Sequence, residues 1–380
     1  MPRVAGKGRF VERLNRFVII CLLGSRRVRV HLPNPGRLQE LLLPGRTVYL
    51  AQNRGGNSTD FTAVAVEREG APVLLHTHLA NAVVGRLIEE GRLPGFENAH
   101  VVGAEVACGR SRFDLLLERD GRPFVLEVKS CTLFGNSIAM FPDAVTVRGR
   151  RHIEELAALA VKGTAAGVVF LVHTPRVRYF LPDYHTDLDF ARTFLDVKDK
   201  LIIKAFSVGW KKDLTLCSDV RELEIPWQLL GRELSDGGSY ILVLHLADGL
   251  SIDVGGLGRV RFRQGFYLYA GSAKRNLRKR IDRHLRKRKA LHWHIDYLRA
   301  HAEVTAAIPV RASDDLEHAL ATAIGGIADW THPGFGSSDC DCPTHLFGMK
   351  TNPFRSPAFI DLLLHFRIDR LEQLIAEEKT

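Results

Sequence analysis

Arg112-Phe-Asp-Leu-Leu-Leu-Glu-Arg-Asp-Gly-Arg-Pro-Phe-Val-Leu-Glu-Val-Lys129 holds two apolar runs that meet at Asp120-Gly121. That dipeptide suits a two-residue hairpin loop, whose central positions both need positive φ. A loop of that length pairs Arg119 with Arg122 and, counting back, sets Asp114 opposite Glu127 and Arg112 opposite Lys129. Alternation then places Val125, Glu127 and Lys129 on one face and turns Leu126 and Val128 to the other. Directly opposed carboxylates repel across the ~4.5–5.5 Å that separates paired Cβ atoms, unless a positive group lies between them. An oxygen-only donor set of this kind suits Mg²⁺ or Mn²⁺, which can bridge to a phosphate and orient a hydroxide nucleophile. Lys129 would then polarise the attacking water or offset developing charge. The alternative is a solvent-facing hairpin whose acids pair with neighbouring Arg or Lys, since D…E-x-K is a short pattern that arises by chance.

The flanks favour the metal reading. Before the hairpin, residues 80–90 have a helical pattern, and strands are expected over 101–108, 112–118 and 123–129. A helix over 150–162 and a strand over 166–173 follow, and this α-β-β-β-α-β order describes a domain with a mixed sheet. Further upstream, short strands over 16–23, 27–32, 47–52, 61–68 and 73–77 are broken by Gly, Pro and Asn, as in a small barrel. Between them His31-Leu-Pro-Asn-Pro-Gly-Arg37 forces a turn, leaving 38–43 room for a brief helix. Downstream, 181–232 reads as less regular, and Ser235-Asp-Gly-Gly238 reads as a linker.

The chain has 380 residues, too many for one ordinary core. Its 46% hydrophobic and 25% charged content excludes a disordered or collagen-like chain. Fifty-three Lys and Arg against 43 Asp and Glu give a net charge of +10, which favours a polyanionic partner, nucleic acid first. Six cysteines, four of them scattered (Cys21, Cys108, Cys131 and Cys217), do not make a secreted disulfide framework, so reduced thiols and a cytoplasmic location are expected. Residues 17–24 imitate a signal-peptide core but no small-x-small site follows, and no run of about 18 uncharged apolar residues predicts a membrane span.

From about Arg9 to Pro226 the chain resembles the sugar fermentation stimulation protein family. It carries His31-Leu-Pro-Asn-Pro-Gly-Arg37, Ser111-Arg-Phe-Asp114, Glu127-Val-Lys129, Phe141-Pro-Asp-Ala144 and Arg148-Gly149. The resemblance implies an N-terminal OB-like barrel, a PD-(D/E)XK-type nuclease fold with Asp114, Glu127 and Lys129 on its motif, and non-specific DNA binding. Glu89 or Glu90 is a further ligand candidate, with a solvated helix end as the expected reading. Arg37, Arg46, Arg54 and Arg148 are the expected nucleic-acid contacts of this part.

The remaining third carries a second constellation. Gly238-Ser-Tyr240 opens an apolar strand, and Gly265-Phe-Tyr-Leu-Tyr-Ala-Gly271-Ser272 forms another, with Ser272 the expected N-cap of the next helix. From Lys274 to Lys289 there are ten Lys or Arg and one Asp. Leu277, Ile281 and Leu285 would bury one stripe of that helix, Arg280 and His284 would flank it, and the other bases would face solvent. Lys274, Arg275, Arg278, Lys279, Arg283 and Lys287 are therefore expected to meet phosphates, so binding should weaken as salt rises. Glu317 opens a further helix. A last helical stripe over 356–378, with a break near Arg367, is expected to pack on the preceding domain.

Together with His292-Trp-His-Ile-Asp-Tyr297 and Gly334-Phe-Gly-Ser-Ser-Asp-Cys-Asp-Cys342, these residues resemble the GIY-YIG nuclease family from Gly238 to about Phe347. The resemblance implies that Glu317 binds Mg²⁺, that Tyr240 or Tyr269 helps activate water, that Arg280 stabilises phosphate charge, and that His284 belongs to the catalytic group. Ala270 replaces the usual isoleucine, and Cys340-Asp-Cys342 stands where active members often have an asparagine. Cys340, Cys342 and His345 offer three Zn²⁺ ligands, but their spacing is tighter than in ordinary zinc modules and no fourth ligand is obvious among His292, His294 and His332. Packed, reduced cysteines are the expectation.

The sequence thus predicts a multidomain α+β and α/β chain: an OB-like barrel over 1–79, a PD-(D/E)XK-like mixed-sheet domain over 80–234, a GIY-YIG-like α/β domain over 238–350 and a helical extension over 351–380. The leading function is non-sequence-specific DNA binding with metal-dependent endonuclease chemistry on single-stranded or branched DNA. RNA is a further candidate partner, a membrane is not, and the rival is a DNA-binding regulator whose nuclease folds no longer cleave.

Overall fold

The computed structural model describes residues 4–53, 58–108, 111–337 and 340–379, so Arg54 lies outside the described residues. The chain divides into two compact units, Met1–Leu230 with Glu372–Thr380, and Gly231–Leu371. No helix among the described residues is long and apolar enough to cross a membrane.

The first unit opens with β1 (Gly6–Asn15), β2 (Val18–Leu23), β3 (Arg26–His31), β4 (Thr47–Gln52), β5 (Phe61–Arg68) and β6 (Ala71–Leu74). They are ordered β3-β2-β1-β4-β5-β6, and a β3–β5 pairing closes them into an OB-like barrel. β1 was not expected, because Lys7, Arg9 and Arg13 interrupt its apolar alternation; its antiparallel ladders to β2 and β4 hold it in place. The brief helix expected over 38–43 does not form. Leu38 sits at φ 54, and its carbonyl closes one turn with the Leu41 and Leu42 amides. The segment lies between Pro35 and Pro44, too short to repay helix nucleation.

Next come α1 (Leu79–Glu89), β7 (Ala99–Cys108), β8 (Ser111–Arg119), β9 (Arg122–Cys131), β10 (Leu133–Phe134), β11 (Ile138–Phe141), α2 (Val147–Val161), β12 (Ala165–Val172), β13 (Tyr179–Pro182), α3 (Leu188–Asp196), β14 (Ile202–Trp210) and β15 (Leu216–Glu222). α4 (Trp227–Glu233) spans the division between the units. The main sheet runs β15-β14-β12-β9-β8-β7, with β9, β12 and β14 parallel at its centre. β12 is apolar along nearly its whole length, as a strand covered on both faces must be. The segment expected to be irregular supplies β14 and β15 instead; Lys204 interrupts the apolar residues of β14, and the charged Lys198-Asp-Lys200 and Lys211-Lys-Asp213 flank it, which obscures the strand. Tyr49, Val64 and Leu74 of the barrel share one buried cluster with Leu87, Leu117, Leu126, Val128 and Phe206.

The hairpin register is as predicted as far as Leu115 and Leu126, and the ladder stops short of the expected Asp114–Glu127 and Arg112–Lys129 pairs. Asp120 and Gly121 take φ 51 and 72, and the ladder runs from Arg119↔Arg122 to Leu115↔Leu126. Beyond it, the Asp114 side chain accepts from the Val128 amide at 2.8 Å.

The second unit contains β16 (Gly238–Leu246), β17 (Leu250–Asp253), β18 (Arg259–Phe262), β19 (Gly265–Ala273), α5 (Leu277–Leu285), α6 (His294–His301), β20 (Glu303–Arg311), α7 (Glu317–Gly325), β21 (Trp330–Thr331), β22 (Leu346–Met349) and α8 (Pro357–Leu364). A π-helical stretch, His365–Asp369, forms the break expected near Arg367 and leads into α9 (Arg370–Glu378). The sheet β20-β16-β19-β22-β21 is antiparallel throughout. Tyr240 pairs with Gly271 and Leu242 with Tyr269, so both tyrosines share one face.

Three local expectations fail here. Ser272 does not cap a helix: it stays in β19, and Asn276 in the left-handed region precedes α5. The basic helix ends at Leu285, not Lys289. Leu277 and Ile281 are buried, but Leu285 is exposed.

Candidate active sites

The first site is a cleft of about 440 Å³ lined by residues of both the barrel and the sheet, among them Asn34, Gly36, Asp114, Glu127, Lys129 and Asp143. β8 and β9 carry Asp114, Glu127 and Lys129 to its wall, as the hairpin register requires. Asn81, in the first turn of α1, donates to Asp114 Oδ1 at 2.7 Å. Burial and the neighbouring Glu127 carboxylate raise the Asp114 pKa.

Glu127 is 3% exposed. Its Oε1 accepts from Lys129 Nζ and lies 2.6 Å from His152 Nδ1, while its Oε2 has no hydrogen-bond partner. Burial pushes the Glu127 pKa up, but the His152 and Lys129 contacts outweigh it and the net shift is downward. A buried carboxylate oxygen without a partner is costly. Such an atom beside a second carboxylate fits an oxygen-binding divalent cation.

His152 has no assigned role in the sequence reading. Thr146 caps α2 by accepting from the Gly149 amide at 3.0 Å, and a Cβ at position 149 would lie 2.7 Å from the Thr146 hydroxyl, which requires glycine there. The helix then carries His152 inward. Arg148 Nε donates to His152 Nε2 at 3.3 Å, which leaves Nδ1–H to donate to Glu127. Arg148-Gly-Arg-Arg-His152 held the signal, but only the fold puts α2 against β9.

On the opposite side, Gly36 meets Asp143: a Cβ on residue 36 would collide with Asp143 Oδ2. Arg13 braces the loop by donating to the Gly36 and Arg37 carbonyls, each at 2.7 Å. Arg37 and Arg148 are exposed. The Arg46 guanidinium is half-buried, donating to the Glu40 and Leu41 carbonyls and bracing the barrel. Glu89 and Glu90 do not line the cleft; Glu89 accepts from the Val101 amide, and Glu90 pairs with Arg86 and Arg92.

The second site is a cleft of about 450 Å³ lined by Tyr240, Tyr269, Ser272, Arg280, Trp293 and Glu317 among others. The Tyr240 hydroxyl lies 2.8 Å from His284 Nε2. Burial pushes the His284 pKa down to about 3 and raises that of Tyr240 well above its ordinary value. A neutral imidazole therefore accepts from a protonated phenol. Gly271 makes room for that phenol, because a Cβ there would meet the Tyr240 hydroxyl oxygen at 2.5 Å. Arg280 stacks over Trp293 with its guanidinium 4.4 Å from the ring centroid.

Glu317 accepts from Ser272 Oγ, and its Oε1 lies 3.1 Å from His345 Nδ1. Burial raises its pKa, but the His345 and Ser272 contacts bring the net shift below the usual value.

Around this cleft the basic run divides in two. Lys274, Arg275, Arg278, Lys279 and Lys287 are exposed. Arg283 is a correction to the expected phosphate contacts. It donates to Asp296 at 2.9 and 3.2 Å, drawn inward together with Lys289, whose Nζ is 2.6 Å from the same carboxylate. Asp296 is fully buried and needs counter-charge, which overrides the solvent-facing geometry of a free helix. Cys340, Cys342 and His345 do come together, and His318 joins them as a fourth side chain able to bind a metal. This fourth side chain directly follows Glu317 and is none of His292, His294 and His332, the candidates the sequence offers.

An OB-like barrel joined to a nuclease-like mixed sheet, with two carboxylates and a lysine on one cleft wall, defines the class of the first unit. Residues 11–75 match the model of the SfsA N-terminal OB domain and residues 78–213 that of the sugar fermentation stimulation protein RE domain. Residues 239–366 match a domain of unknown function, DUF123. A sugar fermentation stimulation protein homolog from Pyrobaculum arsenaticum is 44% identical over 50% of this chain and 80% of its own length. One from Methanothermobacter thermautotrophicus is 37% identical over 49% of this chain and 78% of its own. The solved structure of Pyrococcus furiosus SfsA in complex with Ca²⁺ aligns with a TM-score of 0.55 and 31% identity, covering 59% of this chain and 97% of that one. The chain belongs to the sugar fermentation stimulation protein family.

Proposed function

We propose that this protein binds DNA without reading its sequence and hydrolyses phosphodiester bonds at the Asp114–Glu127–Lys129 cleft with Mg²⁺ or Mn²⁺. The observation that carries the reading is the buried, unpartnered Glu127 Oε2 on the same cleft wall as Asp114. Asp114 and Glu127 would hold the cation, which when bound acts as a Lewis acid and lowers the pKa of water. Lys129 offsets charge at the phosphate, and His152 holds Glu127 in its rotamer through Nδ1. The Ca²⁺ bound by the Pyrococcus furiosus relative is likewise a hard divalent cation that takes oxygen ligands, which supports this choice.

We read the second cleft as a GIY-YIG-type centre. Glu317 would hold a divalent cation, Arg280 would meet the phosphate, and Tyr240, kept protonated by burial and oriented by His284, would position water. Tyr269 lines the same cleft. Exposed Lys274, Arg275, Arg278, Lys279 and Lys287 would track the DNA backbone, with Arg37 and Arg148 doing so at the first cleft.

A second reading, DNA binding without cleavage, is favoured by one feature: Lys129 and His152 both already contact Glu127 Oε1. One panel separates the two. Single-stranded, duplex and branched DNA are incubated with Mg²⁺ or Mn²⁺ and the wild type, Glu127→Ala, Glu317→Ala or the double variant, with RNA as competitor. Cleavage that falls about 10²–10³-fold in Glu127→Ala, the range for removing a preorganised charge contact, supports the enzyme. Binding with every substrate left intact by all four proteins refutes it.

A further inference from the structure

We propose that His318, Cys340, Cys342 and His345 form a structural zinc site that fixes the position of Glu317. Their ligand atoms all lie within 4.8 Å of one another. His318 Nδ1 is 2.9 Å from Cys342 Sγ, and His345 Nε2 is 3.4 Å from Cys340 Sγ. With Zn–S near 2.3 Å and Zn–N near 2.0–2.1 Å, tetrahedral ligand atoms lie about 3.3–3.8 Å apart. The cluster is already close to those dimensions, and two thiolates with two imidazoles make a soft set suited to zinc. The ligands come from the first turn of α7, the loop before β22 and the residue that immediately precedes β22. One ion would therefore join a helix start to a sheet edge.

The second observation lies one bond beyond the ligands. His345 is 2% exposed, and its other ring nitrogen, Nδ1, lies 3.1 Å from Glu317 Oε1. A ligating histidine ordinarily gives its remaining N–H to a carboxylate, which sets its tautomer and ring orientation. Nδ1 is otherwise without a hydrogen-bond partner, so with Nε2 on zinc its N–H would be given to Glu317, linking the ion to that carboxylate through the imidazole while Ser272 holds its other oxygen, Oε2. Binding takes one Zn²⁺ and releases one proton from each of the two thiols, leaving a site of zero net charge. Glu317 is a positioning partner here and not a ligand.

The test is metal analysis of the full chain purified without added zinc or chelator. About one zinc per chain is expected, falling at least tenfold in Cys340→Ser/Cys342→Ser and in His318→Ala. Because those variants could lose zinc by failing to fold, Co²⁺ is also added to the unaltered, metal-stripped chain. Intense visible bands with a thiolate charge-transfer band support the four-ligand set; a spectrum like that of aqueous Co²⁺ overturns it. Glu317→Gln should keep its zinc, and its loss there would overturn the assignment of Glu317 outside the ligand set. A Cys340–Cys342 disulfide in zinc-free protein overturns the proposal as well. Neither readout uses cleavage, so this site and the nuclease reading can fail separately.

Discussion

Replacing Asp296 by Asn keeps the side-chain shape and removes one charge. That carboxylate is fully buried and accepts from the His292 and Trp293 amides at 3.0 and 3.1 Å while pairing with Arg283 and Lys289. Lys289 is only 8% exposed, so without Asp296 its ammonium loses its counter-charge in a site that water scarcely reaches. Breaking a buried pair by removing one partner costs about 3–5 kcal/mol, whereas an exposed pair is worth about 0–1. Asp296→Asn should therefore destabilise the second unit by about 3 kcal/mol or more. Urea unfolding followed by tryptophan fluorescence reads this directly, since Trp293 packs on Arg283 with the guanidinium 4.1 Å from its ring centroid.

The pH dependence supplies a control. Burial works against the Asp296 charge, but Arg283, Lys289 and the two amides together hold its pKa far below the ordinary carboxylate range. Its stabilisation is therefore complete above about pH 4, the unfolded value, and is lost as pH falls toward the folded one. The gap between wild type and Asp296→Asn should narrow steadily below about pH 4. A difference under about 1 kcal/mol at neutral pH would refute the buried-hub account.

Gly271→Ala places a Cβ about 2.5 Å from the Tyr240 hydroxyl oxygen. It should cost about 1–3 kcal/mol by overpacking and separate Tyr240 from His284, seen as a downward shift in the Tyr240 pKa by spectrophotometric titration. His173 accepts from Trp210 Nε1 at Nδ1, lies 2.9 Å from Ser130 Oγ through Nε2, and has its pKa pushed down to about 3 by burial. It is neutral in both states above about pH 6.5, so below that value stability should fall by up to about 1.4 kcal/mol per pH unit, and His173→Gln should flatten that slope. Neutralising Lys274, Lys279 and Lys287 together should weaken binding alike on unrelated DNA sequences and reduce the salt slope by about 2–3, as measured by fluorescence anisotropy.

The hairpin was legible because one dipeptide fixed its register, and a two-residue period then did the rest. β7, β8, β9 and β12 of the main sheet were legible through their apolar runs, whereas β14 was not, because Lys204 interrupts its run and charged residues flank it. β1 was not, since its charged residues face outward from a closed barrel and closure is a long-range property. His152 and His318 were hidden for a related reason: each is an ordinary helix-start histidine until the fold brings it to a carboxylate or a thiol contributed from 25 or 24 residues away. Arg283 and Lys289 show the reverse error. A run of bases was read as a solvated face, when a buried acid thirteen residues beyond Arg283 claims two of them.

The apolar cluster shared by barrel and sheet makes the first unit indivisible. Cutting the chain near residue 79 would strip Tyr49, Val64 and Leu74 from Leu87, Leu117 and Phe206, baring greasy surface on both fragments. Neither half could then be borrowed as a self-sufficient module. The wall of the first cleft is built by both, so insertions or deletions that reshape the Asn34-Pro-Gly36 loop must be matched at Asp143 if that wall is to stay closed.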